Sequence, residues 1–450
     1  MSRTPLSRRT FLSMSAGAAG LAALPARAAR RDPLRFAQIG CGGMGQGDCG
    51  AVLKNGAKLV GLCDVDAGRA KGIFEKFPDL PRFTDYRKML DQLEKDINAV
   101  VVSTPDHTHG VAALDAMRRG KHVYVQKPLA RTFHECQSLL DLAKKKSLVT
   151  QMGNQGHAGS GLKLWEEMVK ADAFGEVRHI HTWSDRPIWP QGMTETPKEE
   201  PAPPGLDWDS WLGPVAMRPY SKRYMPFHWR GWWDFGTGAM GDMACHNMDP
   251  AFWIFQLGLP TAVKAEASAP AGVAYPQWAV IEYTFAPTPK LPNGVKLTWH
   301  DGKKLPSPPP GASPDLKVGG NGCMVVGSKM TAMGGSHAGT PHVVAVGETT
   351  NETAIKEAEA HWQGVHKTLK GTDHYGQWVR AAEAKDPAAP GSRFDYAAPF
   401  TQAILIGCIA TRYPGQELKW DAEKRRFSNF DEANQWLTFE PRKGYSIETT

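Results

Sequence analysis

The segment Leu34-Arg35-Phe36-Ala37-Gln38-Ile39-Gly40-Cys41-Gly42-Gly43-Met44-Gly45 constrains this chain more than any other. Six residues of strand character run into a G-x-G-x-x-G turn, and a helical stretch follows. Alone the pattern is weak; flanked by a strand and a helix it is specific. Gly40 permits the tight turn, Gly42 lets the backbone approach a pyrophosphate, and Gly45 lets the helix pack on the strand. Gly43 and Met44 complete a turn whose unpaired N–H groups favour an anion. A second strand over 58–63 ends in Asp64, 19 residues after Gly45. There a carboxylate accepts the ribose hydroxyls of NAD and repels the 2′-phosphate of NADP. Arg69 nearby softens that preference, so NADP stays possible.

The βαβ rhythm continues. Residues 97–102 form the unbroken apolar run of a buried parallel strand, and a helix runs to about Arg119. Residues 121–125 form another strand before Gln126-Lys127-Pro128. A helix over 133–146 and a strand over 148–150 complete a doubly wound parallel sheet over about 34–152. Ligands bind such sheets at the C-terminal strand ends, where Thr104, Pro105, Gln126 and Lys127 fall. His107 and His109 have no third metal ligand nearby, so no metal site is expected. Asp106, after Pro105, reads as a helix N-cap.

From 153 to about 420 the pattern changes. A helix at 160–170 and strands at 177–183, 262–267, 278–285 and 295–299 predict an α+β domain with a large, open, mostly antiparallel sheet. Helices are expected at 374–384 and 396–412, loops at 190–205 and 301–322, and a tail over 421–450. Eight tryptophans lie between Trp183 and Trp253. Tryptophan faces stack on the C–H faces of sugars, so Trp229, Trp232 and Trp233 are candidate substrate contacts, with core packing as the alternative. Gln155 and His157, at the domain crossing, are candidates too.

At the start, Ser7-Arg8-Arg9-Thr10-Phe11-Leu12, a short apolar run and Ala26-Arg27-Ala28 make the three parts of a cleavable signal over 1–28. The run is too short and too rich in Gly and Ser for a stable membrane anchor. The arginine pair resembles the twin-arginine class. That resemblance implies the twin-arginine translocase as partner and folded export to the periplasm, often with cofactor already bound. Removal of four arginines lowers the formal charge from +7 to +3, which gives no argument for nucleic acid. Seven scattered cysteines without a C-x-x-C pair suit free thiols.

Three features in order resemble the glucose-fructose oxidoreductase/inositol dehydrogenase (Gfo/Idh/MocA) family of nicotinamide-dependent sugar enzymes. They are the glycine turn, Val125-Gln126-Lys127-Pro128-Leu129, and Gly241-Asp242-Met243-Ala244-Cys245-His246-Asn247-Met248-Asp249. Thr104-Pro105-Asp106 with His109 also resembles the family's loop after the fourth strand and implies a cofactor contact. The family usually carries Glu where this chain has Gln126, which removes a negative charge beside Lys127. The resemblance places Lys127, Asp242 and His246 beside the nicotinamide. On a helix Asp242 and His246 share one face. His246 is expected as the base for a secondary hydroxyl, Asp242 as the partner of its imidazole, and Lys127 as donor to the alcohol oxygen.

The expected function is oxidation of a sugar or polyol hydroxyl with tightly held NAD, by a homo-oligomer (dimer or tetramer). One alternative is an NAD-carrying glycosidase, lyase or epimerase working through a transient keto-sugar. The other is a sugar-binding protein without turnover.

Overall fold

Four consecutive buried residues, Ala99–Val102, form the middle of a six-stranded sheet. The computed structural model describes residues 32–269 and 272–450; the leader expected over 1–28 lies outside the described residues. The first sheet contains β1 (Arg35–Ile39), β2 (Lys58–Cys63), β3 (Arg82–Phe83), β4 (Ala99–Val102), β5 (His122–Gln126) and β6 (Thr150–Gly153). All pairs are parallel, in the order β3-β2-β1-β4-β5-β6. The helices between them are α1 (Met44–Lys54), α2 (Lys71–Lys76), α3 (Tyr86–Leu93), α4 (Asp106–Arg118) and α5 (Phe133–Lys146). Strand order reverses between β1 and β4, and a crevice opens there at the strand ends. Helix α5 starts on a reciprocal cap: Thr132 Oγ1 accepts from the Glu135 N–H, and the Glu135 carboxylate accepts from the Thr132 N–H.

The second half contains α6 (Ser160–Lys170), β7 (Val177–Ser184), α7 (Trp208–Leu212), α8 (Gly238–Asn247) and α9 (Asp249–Phe255). Strands β8 (Ala262–Ala267), β9 (Ala279–Phe285), β10 (Val295–His300), β11 (Asn321–Gly327), β12 (Met330–Gly334) and β13 (His342–Val346) follow. The chain closes with α10 (Glu352–His366), α11 (His374–Ala384), α12 (Phe394–Ala410), β14 (Glu417–Asp421) and β15 (Arg426–Phe427). The nine strands run β13-β12-β11-β7-β10-β9-β8-β14-β15, antiparallel except for β7 beside β10. Residues of β9 alternate between buried and more exposed, as one packed face requires. Helix α12, apolar almost all round, packs between α5 and α8 and ties the two sheets together.

The chain returns to the first sheet twice. Trp378 and Val379 of α11 pack behind β1 and α1. In the expected tail, Ile447 is buried and Arg118 donates to the Ser446 carbonyl (3.1 Å). β11 to β13 and α10 have no counterpart in the sequence reading, and β11 begins inside the expected 301–322 loop. β11 and β12 are short, carry Gly322, Gly327 and Gly334, and are buried along most of their length, so they show no clear alternation. All seven cysteines are buried free thiols. Among the described residues no helix is long and apolar enough to cross a membrane.

Candidate active site

The ends of β1, β2 and β4 open on a cavity of about 390 Å³. Gly40, Gly42, Gly43 and Met44 line it with Asp64, Thr104 and Pro105. Gly40 has φ +84° and Gly43 φ +52°, the left-handed backbone that glycine adopts without a Cβ penalty. Gly45 stands behind: a Cβ there would lie 2.1 Å from the Gly40 carbonyl, so only glycine lets α1 approach β1. The first turn of α1 has no side-chain cap; the Gly45 N–H turns back to the Gly42 carbonyl (3.0 Å), and its neighbours' N–H groups are left to an anion. Asp64 is anchored by N–H donors of Cys41 (2.7 Å), Gly42 (3.2 Å) and Asp66 (2.9 Å). Burial pushes its carboxyl up, and those three donors oppose that. Uncapped N–H groups, a glycine cradle and a fixed acid at the next strand end are the donor set that NAD's pyrophosphate and ribose require, so the residues fit the cofactor. Arg69 lies over the turn, its Nη2 3.4 Å from where a Gly43 Cβ would be.

Arg230 connects this cavity to a second group of residues. Its Nε donates to Asp242 Oδ1 (3.0 Å), and Lys127 Nζ donates to the same oxygen (2.9 Å) and to the Asp242 carbonyl (3.0 Å). Lys127 comes from the end of β5 and Asp242 from α8, so the pair bridges the two halves. Although burial opposes it, Lys127 and Arg230 hold Asp242 well below the usual carboxylate range. The expected bond from Asp242 to His246 is absent, because the two cations claim the carboxylate. His246 instead stacks on His337, with ring centroids 3.8 Å apart. Its Nδ1 is buried without a partner among the described residues. Burial, then Lys127 and His337, push His246 well below the imidazole range, against the pull of Asp242, and keep the ring neutral.

Several expected contacts sit elsewhere. His109 does not line the cavity; its ring nitrogens face the carbonyls of Pro128 (2.7 Å) and Thr104 (2.8 Å), so it braces the Lys127 turn against the β4 loop. Asp106 is the first residue of α4 rather than its cap; fully buried, it accepts from Thr237 Oγ1 (2.7 Å). Gln126 is buried, donating to both Asp48 oxygens (2.9 and 3.0 Å) while its Oε1 accepts from the Lys127 N–H. Of the three tryptophans only Trp229 lines the cavity. Trp232 packs against Tyr224 deeper in the aromatic cluster that Trp229 belongs to, and Trp233 lies between Tyr275 and Arg412. Gln155 donates to the hydroxyls of Tyr375 (2.9 Å) and Tyr124 (3.2 Å). His157 pairs with Asp249 (2.9 Å), whose carboxylate also accepts from Tyr396. These two lock the crossing from β6 into the second half.

Four participants escaped the sequence reading. Arg230 was signalled only by its setting between Trp229 and Trp232. His337 sits at φ +59° in the loop between β12 and β13, and the glycines around Ser336-His337-Ala338 were its one trace. Tyr445, on the cavity rim, lies in the expected tail. Asp48 gave no signal, since one acid on a helix ordinarily faces water.

Residues 34–154 match a family model described as "Oxidoreductase family, NAD-binding Rossmann fold". Residues 177–292 match its companion, "Oxidoreductase family, C-terminal alpha/beta domain". Together they take in just over half of the chain, which therefore belongs to the Gfo/Idh/MocA oxidoreductase family and carries its NAD-binding domain. The inositol 2-dehydrogenase of Salmonella paratyphi B is 25% identical over 129 residues, 28% of this chain and 38% of that protein. The alpha-N-acetylgalactosaminidase of Shewanella oneidensis is 32% identical over 133 residues, 28% of each chain. The chain thus spans well under half the length of the curated relatives it matches. In fold it is similar to the WlbA dehydrogenase of Bordetella pertussis, solved with NADH and UDP-GlcNAcA (TM-score 0.59, 16% identity, 87% of this chain, 99% of that one).

Proposed function

We propose that the protein oxidises a secondary hydroxyl of a sugar or polyol with NAD held at the glycine turn. The observation that carries this reading is the convergence of Lys127, Asp242 and neutral His246 from both halves of the molecule, joined through Arg230 to the cavity of that turn. The nicotinamide, when bound, supplies the hydride acceptor. Lys127 donates to the substrate oxygen as negative charge grows there, and Asp242 fixes the direction of its ammonium. His246, uncharged, takes the hydroxyl proton, and the ring of His337 covers its outer face. The relative named inositol 2-dehydrogenase supports a polyol or sugar as substrate.

A second reading is redox-neutral: a transient ketone forms, a neighbouring group is eliminated or epimerised, and the hydride returns. The relative named alpha-N-acetylgalactosaminidase favours it. Folded export with cofactor loaded suits either course: after net oxidation a second carbonyl compound can take the hydride back, and in the redox-neutral course the hydride returns to the same sugar. The test is absorbance at 340 nm of NAD-loaded protein given a panel of sugars, polyols and glycosides. Accumulating NADH supports net oxidation; product formation without it supports the second reading. No response from any panel member, or full activity in Lys127→Ala and His246→Ala, refutes both.

A further inference from the structure

Two cations share one carboxylate at the site. Lys127 Nζ and Arg230 Nε both meet Asp242 Oδ1, so they stand less than two hydrogen-bond lengths apart with one positive charge beyond what Asp242 neutralises. The other titratable groups facing them do not remove that excess. His246 and His337 are both pushed toward the neutral form by burial and Lys127. Asp106, behind the pair, is bonded to Thr237 and to neither cation. Burial pushes it up to about 7, so it is at most partly ionised at neutral pH.

Arg230 is also built to hold something. Its guanidinium lies over the rings of Trp229 (4.1 Å) and Phe227 (4.2 Å). Nε is committed to Asp242, Nη1 donates to the Phe227 carbonyl (3.3 Å), and Nη2 has no protein partner among the described residues. Arg230, Trp229 and Phe227 all line the cavity that begins at the glycine turn. A guanidinium held against two aromatic rings and by two hydrogen bonds gives up little conformational freedom on binding, and its free Nη2 is left to donate to a carboxylate. A cation partly withdrawn from water and only partly neutralised is unfavourable until an anion reaches it.

We propose that Arg230 is a carboxylate receptor and that the substrates are acidic sugars of the hexuronate class, with the reacting hydroxyl on Lys127 and the carboxylate on the free Nη2 of Arg230. This rests on the oxidoreductase reading above. One sugar ring spans the gap between the two cations, and the exposed ring of Phe227 supplies an apolar surface for its C–H groups.

The test compares glucose with glucuronate, and galactose with galacturonate, on NAD-loaded protein, by calorimetric binding and by absorbance at 340 nm. Each uronate is expected to bind at least about tenfold more tightly than its parent hexose, with the preference shrinking as salt rises. In Arg230→Met the ratio falls toward one; Arg230→Lys keeps part of it. Should Arg230→Met fail to fold, Arg230→Lys and the salt series of the native protein still decide. Equal binding of hexose and uronate, a preference that survives Arg230→Met, or glucose 6-phosphate outcompeting glucuronate would overturn the proposal. Hexoses reducing the nucleotide as well as uronates do would end this inference and leave the proposed function standing; neither binding nor reduction by either class would also end this inference, while the proposed function falls only if the wider panel of polyols and glycosides gives no product either.

Discussion

Replacing Gln126 by Glu sets a second carboxylate against one already buried. Asp48 accepts from Ser103 Oγ (2.6 Å), the Tyr375 hydroxyl (2.6 Å) and the Gln126 amide (2.9 and 3.0 Å). Ser103 in turn accepts from Gln38, and Tyr375 from Gln155. Both hydroxyl protons therefore point at Asp48, which receives only donors, as an ionised carboxylate does. In this chain the acid of the buried pair sits on α1 and the amide at position 126. Two unit charges about 3 Å apart at an effective dielectric of about 20 repel by roughly 5 kcal/mol. Holding a Glu of ordinary pKa about 4.3 protonated at pH 7 costs roughly 4 kcal/mol, the smaller penalty. The variant thus binds one extra proton when folded. Its folded pKa is raised, so stability matches the native protein near pH 4 and declines by about 1.4 kcal/mol per pH unit above that. Urea unfolding between pH 5 and 8 reads this directly. Asp48→Asn in the same chain rebuilds the amide–carboxylate pair with its polarity reversed and is expected to recover at least half of the loss at pH 7. A destabilisation that does not vary with pH, or no recovery in the double variant, would refute the reasoning.

Other consequences follow from the same geometry. Because burial and Lys127 depress His246, the acid limb of kcat/KM should fall below the ordinary imidazole pKa of about 6.5; a pH profile of the native enzyme checks this, and His337→Ala should move the limb upward. Asp106, raised to about 7, favours the fold while protonated and loses that contribution as pH rises from about 4 through 7. Asp106→Asn keeps an acceptor for Thr237 and should gain roughly 4 kcal/mol over the native protein between those limits, measured by denaturant unfolding. Gly45→Ala forces a methyl against the Gly40 carbonyl and should lower stability by about 1–3 kcal/mol while weakening NAD in equilibrium dialysis.

Much of the first sheet could be read because its signals are local, although α2, β3 and α3 have no counterpart in the sequence reading. A glycine turn and fully apolar strands each declare themselves within a few residues, and the helices at 133–146, 160–170 and 374–384 fall where the sequence put them. What escaped depends on distance along the chain. Tyr375 completes the Asp48 network from 327 residues away, and Tyr445 reaches the cavity from a stretch that looks like a tail. The i, i+4 spacing of Asp242 and His246 placed both on α8. It carried no information about Lys127 and Arg230, whose charges draw Asp242 away from the imidazole. Tryptophan spacing likewise could not separate Trp229, at the cavity, from Trp232 in an aromatic core, since both are large, apolar and buried.

Isotope transfer probes the central claim most directly. NAD-loaded protein is mixed with a glucuronate deuterated at every ring carbon, quenched in base, and the released nucleotide is weighed by mass spectrometry. Reduced nicotinamide one mass unit heavier, absent from Lys127→Ala that still retains its nucleotide, is the predicted result. Reduced nucleotide without the label, or a label that appears equally in Lys127→Ala, would contradict hydride transfer at this site.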